Sequence, residues 1–393
     1  MRLHSTVIAL LTGAQLSNAA EKPYSTWLTD SVISYNIVPK SRWYTEATFY
    51  YGVEAVHNHT SSPAYLSYLT SQIDPILTPN GSFASWDFND HQLDNIRIGS
   101  PLLYLYTQTS NVRYRKAIDF LHDRLLNHQK RTPTGGFWHK DPKYPNQMWL
   151  DGLFMAGPFS AAYAALFDPK NMTLWDDILL QFQLIEDHCR NTTKGNNMLK
   201  HGYDESFKAV WADPVTGASP LVWIRAQGWY FMALIDVLEW FPSSHEGYKL
   251  ITKWFRDLAK AVKREQDESG GWWLVMDEQY KGKKGNYIES SGTAMYTYGV
   301  LKGIRKGVLK EGDYLGVAEK AYNFMTERFV ARNGTGGGIN WEGTVRVGSL
   351  DGKGDYEYYI GINKVENDLK GVGPFILASV EWERHQRKTV HET

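Results

Sequence analysis

Six segments with helical periodicity carry almost no charge. They begin near Glu46 (EATFYYGVEAV), Asp94 (DNIRIGSPLLYLY), Asp151 (DGLFMAGPFSAAYAALF), Arg225 (RAQGWYFMALIDVLEW), Gly292 (GTAMYTYGVLKGI) and Asp368 (DLKGVGPFILASVEW). Rich in small and aromatic residues, they leave no face for water and read as helices buried on most sides. Charged, amphipathic helices alternate with them, running from Arg113, Glu246 and Asp313. Each of these has one wet face and belongs to an outer layer. The alternation suggests an all-α chain of six hairpins, with the inner helix starts and their loops on one concave face. A shared unit is hinted at by proline spacing: Pro101, Pro158 and Pro374 each follow Asp94, Asp151 and Asn367 by 7 residues. Gly-rich aromatic turns recur as well, as GGFWH from Gly135, GGWWLVMD from Gly270 and GGGINWEG from Gly336.

At 393 residues the chain is long for one domain, yet no Pro/Ser-rich or charge-block linker divides it, and a single domain is expected. A net charge of −1 lacks the basic face that nucleic acid requires. No run beyond the N-terminus reads as a membrane span of roughly 18–20 apolar residues. The first residues, MRLHSTVIALLTGAQLSNAA, have the charge, apolar core and small-residue cleavage site of a signal peptide over 1–19, leaving a mature chain of 20–393. Glycosylation acceptors begin at Asn58, Asn80, Asn171, Asn191 and Asn333. Together these features predict a secreted, extracellular eukaryotic glycoprotein, taken as a monomer. Cys189 is the only cysteine, so the chain forms no internal disulfide.

Chemistry concentrates in Trp138–Phe159, WHKDPKYPNQMWLDGLFMAGPF, where His139, Lys140, Gln147, Trp149 and Asp151 share a loop with prolines and aromatics. Buried ionisable groups need partners, so this mixture is costly in an ordinary core. Stacking rings, a proton-moving carboxyl and anion-holding basic groups suit a carbohydrate site. The sequence has no HExxH, CxxC or other metal-ligand spacing, no GxSxG elbow and no nucleotide loop; GTGGG after Asn333 reads as a flexible turn. His57 and His59 flank a sequon and read as surface residues. Asp94 and Asp151 open two successive buried helices and could both face one cavity, either as an acid–base pair or as two helix caps. A second cluster runs from Lys200, with His201 and Asp204 in a turn and Trp223, Arg225 and Trp229 at the start of a buried helix. Arg225 is placed either to clamp a sugar carboxylate with its planar fork or to make a structural salt bridge to Asp204, Glu205 or Asp236.

Several long motifs stand in one order along most of the chain: the LDGLFMA block, HGYDES, WADPxTGxSP, WxRAxGWY and DYEYYI…NDLKGVGPFILA. In this they resemble glycoside hydrolase family 105, the unsaturated rhamnogalacturonyl hydrolases. The resemblance implies a closed (α/α)6 barrel and a catalytic domain over 20–393. It makes Asp151 the general acid and base and Asp94 its assistant. It places Tyr44, His139, Lys140, Gln147, His201, Trp223, Arg225 and Trp229 at or beside the sugar subsite, with Tyr44 the least supported. The implied reaction removes a terminal 4,5-unsaturated uronic acid by hydrating its enol ether, with an oligosaccharide as substrate and no metal or organic cofactor. The expected substrate is unsaturated galacturonyl-rhamnose from pectin lyase products. Unsaturated glucuronyl ends of arabinogalactan- or ulvan-type glycans are the alternative, and a non-catalytic sugar-binding barrel is the reading from another class. Burial and the charge of Asp94 are expected to raise the pKa of Asp151.

Overall fold

The computed structural model describes residues 22–190, 197–333 and 337–392. The expected signal peptide over 1–19, the acceptor Asn191 and positions 334–336 of the GTGGG turn lie outside the described residues.

Six helices form an inner ring: α2 (Tyr44–Thr60), α4 (Gly99–Thr109), α6 (Leu150–Phe167), α8 (Ile224–Val237), α10 (Ser290–Arg305) and α13 (Leu369–Glu392). Each packs on the next, and α13 packs back on α2, closing the ring. The outer layer is α1 (Tyr24–Tyr35), α3 (Pro63–Ile73), α5 (Val112–Asp123), α7 (Met172–Cys189), α9 (Glu246–Arg264) and α11 (Glu311–Arg328). The last five each pack on the inner helix that precedes them, and α1 packs on α13. The N-terminal helix thus completes the outer layer beside the C-terminal inner helix. This is the expected (α/α)6 barrel.

The physical contrast between the layers is the one written in the residues. Every residue of α8 is buried, whereas α9 buries only one stripe, including Ile251, Phe255, Leu258 and Val262. Small residues let the inner helices approach closely. A Cβ on Gly373 of α13 would lie 2.5 Å from the Thr48 carbonyl oxygen of α2, at the seam that closes the barrel. Turns at Gly135 and Gly270 need the left-handed backbone, with φ of 98° and 111°. They lead chains from outer helices back to the inner ring. Among the described residues, four two-stranded ribbons lie in the loops between the helices. Among them β3 (Gln147–Trp149) pairs antiparallel with β4 (Gly202–Asp204), and β7 (Thr344–Val345) pairs with β8 (Lys364–Val365).

Four expectations need correction. Asp94 does not open α4; it sits in a 3-10 turn, Leu93–Ile96, ahead of that helix. Pro101 falls in the first turn of α4, but Pro158 and Pro374 lie inside α6 and α13, so equal spacing does not mean equal helical position. His59 is not a surface residue: its side chain is covered, with Nε2 3.3 Å from Glu383. Finally, α6 is by length and composition apolar enough to cross a membrane, contrary to the sequence reading; here it is mostly buried and flanked by α4 and α8.

Candidate active site

The inner helices α2, α6 and α8 start around one cavity of about 370 Å³. Tyr44 begins α2, Asp151 lies in the first turn of α6, Trp223 caps α8, and Arg225 is in its first turn. All four line the cavity, with Asp94, His139, Lys140 and Trp229. The two carboxylates are therefore brought to one space, from a 3-10 turn and a helix start.

Their environments differ. Asp94 is buried and bonded to Lys140, whose Nζ is 2.7 Å from Oδ2. His139 Nε2 stands 3.9 Å from the other carboxylate oxygen. Lys140 also lies 5.5 Å from the centre of the Trp43 ring. Asp151 faces His201 instead, with Nε2 3.2 Å from Oδ2. The approach is off-line for a straight hydrogen bond, and Oδ2 is buried. Poor alignment of such pairs is common before a substrate is bound.

The pKa expectation for Asp151 is overturned. Burial pushes its carboxyl up, but His201 and then His139 outweigh burial and hold it below the ordinary carboxylate range. Asp94, paired with Lys140, is not among the main influences on Asp151. His139 is pushed down to about 4 by burial, against the pull of Asp94. At neutral pH it is an uncharged ring, stacked on Trp149 at 4.5 Å. Burial and then the charge of Asp94 hold the Tyr44 hydroxyl well above its usual range, so it stays protonated.

Arg225 makes none of the three expected salt bridges, to Asp204, Glu205 or Asp236. Its guanidinium donates to the carbonyls of Val345, at 2.6 Å, and Arg346, and lies 3.9 Å from Glu289. It also lies 4.4 Å from the centre of the Trp223 ring. The fork thus ties the 345–346 backbone to the start of α8 while its residue lines the cavity. Trp229 stacks on Phe154 at 4.7 Å and forms part of the cavity wall. Two sequence-nominated residues are not in the wall. Gln147 accepts a hydrogen bond from Trp149 Nε1 at 3.1 Å and so steadies that ring. His201, fully buried, stands behind Asp151 and Trp223.

The structure adds residues that the sequence did not single out. Trp43, Lys143, Tyr144, Met155, Asp351 and Tyr358 line the cavity, with Val347, Gly348 and Ser349. Lys143 and Asp351 form a 2.9 Å ion pair between the loop after His139 and the 347–351 loop. Lys143 and Tyr144 lie inside the chemically mixed segment, which was a usable signal. The 347–351 loop carried none, and DYEYYI was legible only as part of a family motif. Among the described residues no three His, Cys, Asp or Glu side chains are grouped to hold a metal ion.

Comparison with known proteins agrees with this architecture. The chain matches the family model Glycosyl Hydrolase Family 88 over residues 20–386. A solved C. acetobutylicum glycoside hydrolase from family 105 superposes with a TM-score of 0.87 at 34% identity, over 92% of this chain and 100% of that one. Protein Atu3128 of Agrobacterium fabrum is 34% identical over 218 residues, which are 51% of this chain and 91% of that protein. The unsaturated rhamnogalacturonyl hydrolase YesR of Bacillus subtilis is 25% identical over 249 residues, 62% of this chain and 66% of YesR. On the extent of the family match and the identity to a family 105 structure across nearly its whole length, this chain belongs to the glycosyl hydrolase 88/105 family.

Proposed function

We propose that this protein is an exo-acting hydrolase that removes a terminal 4,5-unsaturated uronic acid, with unsaturated galacturonyl-rhamnose as its substrate. The observation that carries the reading is the convergence of Asp151, backed by His201, and Asp94, paired with Lys140, on one ring-lined cavity at the inner-helix starts. The name of the relative YesR supports the choice of substrate. Several positive helix N-termini around the cavity favour an anionic sugar.

In the free enzyme Asp151 is an anion at neutral pH. A uronate carboxylate entering beside it favours the neutral form, because like charges in a poorly hydrated site resist joint ionisation. Asp151 then gives its proton to C4. The cation that develops at C5 is shared with the ring oxygen. Ionised again, Asp151 takes a proton from the water that attacks C5. The resulting hemiketal opens to a ketone at C5, and the hemiacetal left at C1 collapses, releasing the neighbouring sugar with its glycosidic oxygen. One water is consumed and Asp151 ends the cycle protonated. Trp149, Trp223 and Trp229 limit water around the reacting ring.

The reading includes export as a monomeric glycoprotein. Exposed Asn58 and Asn80 support that part. Asn171 is half-buried and its amide nitrogen donates to Asp168 at 2.8 Å, so it is the poorer acceptor.

The test is loss of the enol-ether absorbance with unsaturated galacturonyl-rhamnose and with its glucuronyl counterpart. Wild type is expected to have the higher kcat/KM on the galacturonyl substrate. Asp151→Asn is expected to fold and to lose about 10²–10⁴-fold in turnover, the usual worth of general acid–base catalysis. Asp151→Asn within tenfold of wild type would remove Asp151 from the chemistry; a preference for the glucuronyl substrate would replace the substrate assignment.

A further inference from the structure

Behind Asp151 lies a second polar contact that the reaction scheme leaves unused. Tyr359 comes from a short helix, α12 (Tyr356–Ile360), far along the chain. It is fully buried, and its hydroxyl is 2.8 Å from His201 Nδ1. The opposite nitrogen, Nε2, faces Asp151 Oδ2 at 3.2 Å. Trp223 lies flat on Tyr359, at 5.5 Å and 18°, and its ring centre is 4.9 Å from that of His201. The three polar groups therefore follow one another, phenol, imidazole and carboxylate, with the last approach off the straight line and the first two clamped by aromatic packing.

Only two proton arrangements suit that chain of groups. In the first, the phenol donates to a bare Nδ1 and a neutral imidazole donates from Nε2 to the carboxylate. In the second, His201 is a cation and the phenol accepts. A neutral ring protonated on Nδ1 would turn the Nε2 lone pair on ionised Oδ2, which is repulsive. His201 is completely buried, and the Tyr359 hydroxyl at 2.8 Å is placed to donate to Nδ1. Burial holds the Tyr359 hydroxyl well above its usual range, so it keeps its proton to donate.

We propose that Tyr359 is a positioning residue: it holds His201 as the neutral Nε2–H tautomer, whose proton occupies Oδ2 of Asp151 and leaves Oδ1 to exchange protons with the substrate and water. The identity of the reaction rests on the functional reading above, whereas the tautomer does not. The arrangement follows a general logic in which the hydrogen bond on one imidazole nitrogen decides what the other can do. A hydrogen-bond chain of this kind also strengthens the outer bond, since each donor polarises the next.

The test uses Tyr359→Phe, which keeps the ring on Trp223 and removes only the hydroxyl. Nitrogen-15 NMR of histidine-labelled wild type is expected to show His201 with a bare Nδ1 and a protonated Nε2. The variant is expected to show a mixture of tautomers. Its kcat on the unsaturated disaccharide is expected to fall about tenfold, the scale of one hydrogen bond, with KM within about twofold because Tyr359 is outside the cavity wall. The upper limb of its kcat–pH profile is expected to move to higher pH, because the Asp151 anion loses a fixed donor. Groups that could move this limb otherwise are His139 on the Asp151 side and Tyr358, Asp277 and Asp355 around Tyr359. None of these is altered by the substitution. In His201→Asn, adding Tyr359→Phe is expected to cost no further rate, because Tyr359 acts through that ring. A protonated Nδ1 in wild type, or a variant with unchanged tautomer, kcat and pH limb, would overturn the proposal. Wild type inactive on every unsaturated uronide would overturn the functional reading instead, and the NMR spectra would still decide the tautomer.

Discussion

Two imidazoles at the site do opposite jobs because their surroundings differ. His201 is hydrogen-bonded to Tyr359 at Nδ1 and faces Asp151 with Nε2, whereas His139 is stacked on Trp149 with its Nδ1 buried and unpartnered. That burial makes the site labile to acid. An unfolded imidazole takes a proton near 6.5, while His139 resists until about 4. Between those values the unfolded chain binds the extra proton, so stability is full above the window and falls as pH drops through it. The loss amounts to roughly 3 kcal/mol from this residue. Asp151 acts in the same sense: its depressed carboxyl stabilises the fold above the ordinary carboxylate range, and that contribution is lost as pH falls through its lower folded value. Melting temperature is expected to fall steeply between pH 6.5 and pH 4, and the slope is expected to flatten in His139→Gln. An equally steep slope in the variant would show that another group dominates.

At the scale of elements, close contact between helices depends on missing side chains. At Gly373 a methyl group would meet the Thr48 carbonyl at 2.5 Å, a backbone atom that cannot swing away. Gly373→Ala is expected to destabilise the protein by about 1–3 kcal/mol, the range for overpacking a well-filled core, measured by denaturant unfolding. A change under about 0.5 kcal/mol, the level of a neutral surface substitution, would mean that α2 and α13 separate without cost. A Cβ on Gly348 would lie 2.6 Å from the Trp223 ring, so Gly348→Ala is expected to lower kcat/KM by moving the cavity wall, with folding retained. The helices themselves were legible because their burial is periodic and uncharged. Asp94 was misplaced by a few residues because a 3-10 turn continues the same apolar pattern before α4. The 347–351 loop was not legible at all. It has no periodicity, and it reaches the site only through contacts such as Lys143–Asp351 and Arg225 on the Val345 and Arg346 carbonyls.

The whole barrel has two different ends. The inner-helix starts carry the site. Near their far ends Lys302 bonds Asp236 at 2.7 Å and Glu239 at 2.9 Å, and Tyr298 joins Tyr51 to the same network. Glu54 lines a cavity there with Arg97 and Asp236, yet its Oε1 is buried without a partner. Burial pushes its carboxyl up to about 8, against the pull of Arg97. The unfolded chain sheds this proton near 4.5 and the folded chain keeps it, so stability falls as pH rises between the two values. Glu54→Gln is expected to stabilise the protein at pH 7.5 by about 2–4 kcal/mol, with the gain vanishing below pH 4.5. Melts at both pH values check this; a gain independent of pH would mean that Glu54 is not neutral in the fold. Sequence could nominate Asp94, Asp151 and Arg225 because each sits near the start of a recognisable helix. It could not pair Asp94 with Lys140 or Asp151 with His201, since those pairings depend on how the ring closes.

The proposed function requires catalysis to begin at a C4=C5 double bond and not at C1. It is tested most directly by giving wild type the unsaturated disaccharide and its saturated counterpart side by side, following absorbance and released sugar together. Double-bond loss and sugar release are expected to keep pace on the unsaturated substrate, and the saturated one is expected to be left intact. Release of sugar from the saturated disaccharide at a comparable kcat/KM would contradict that requirement.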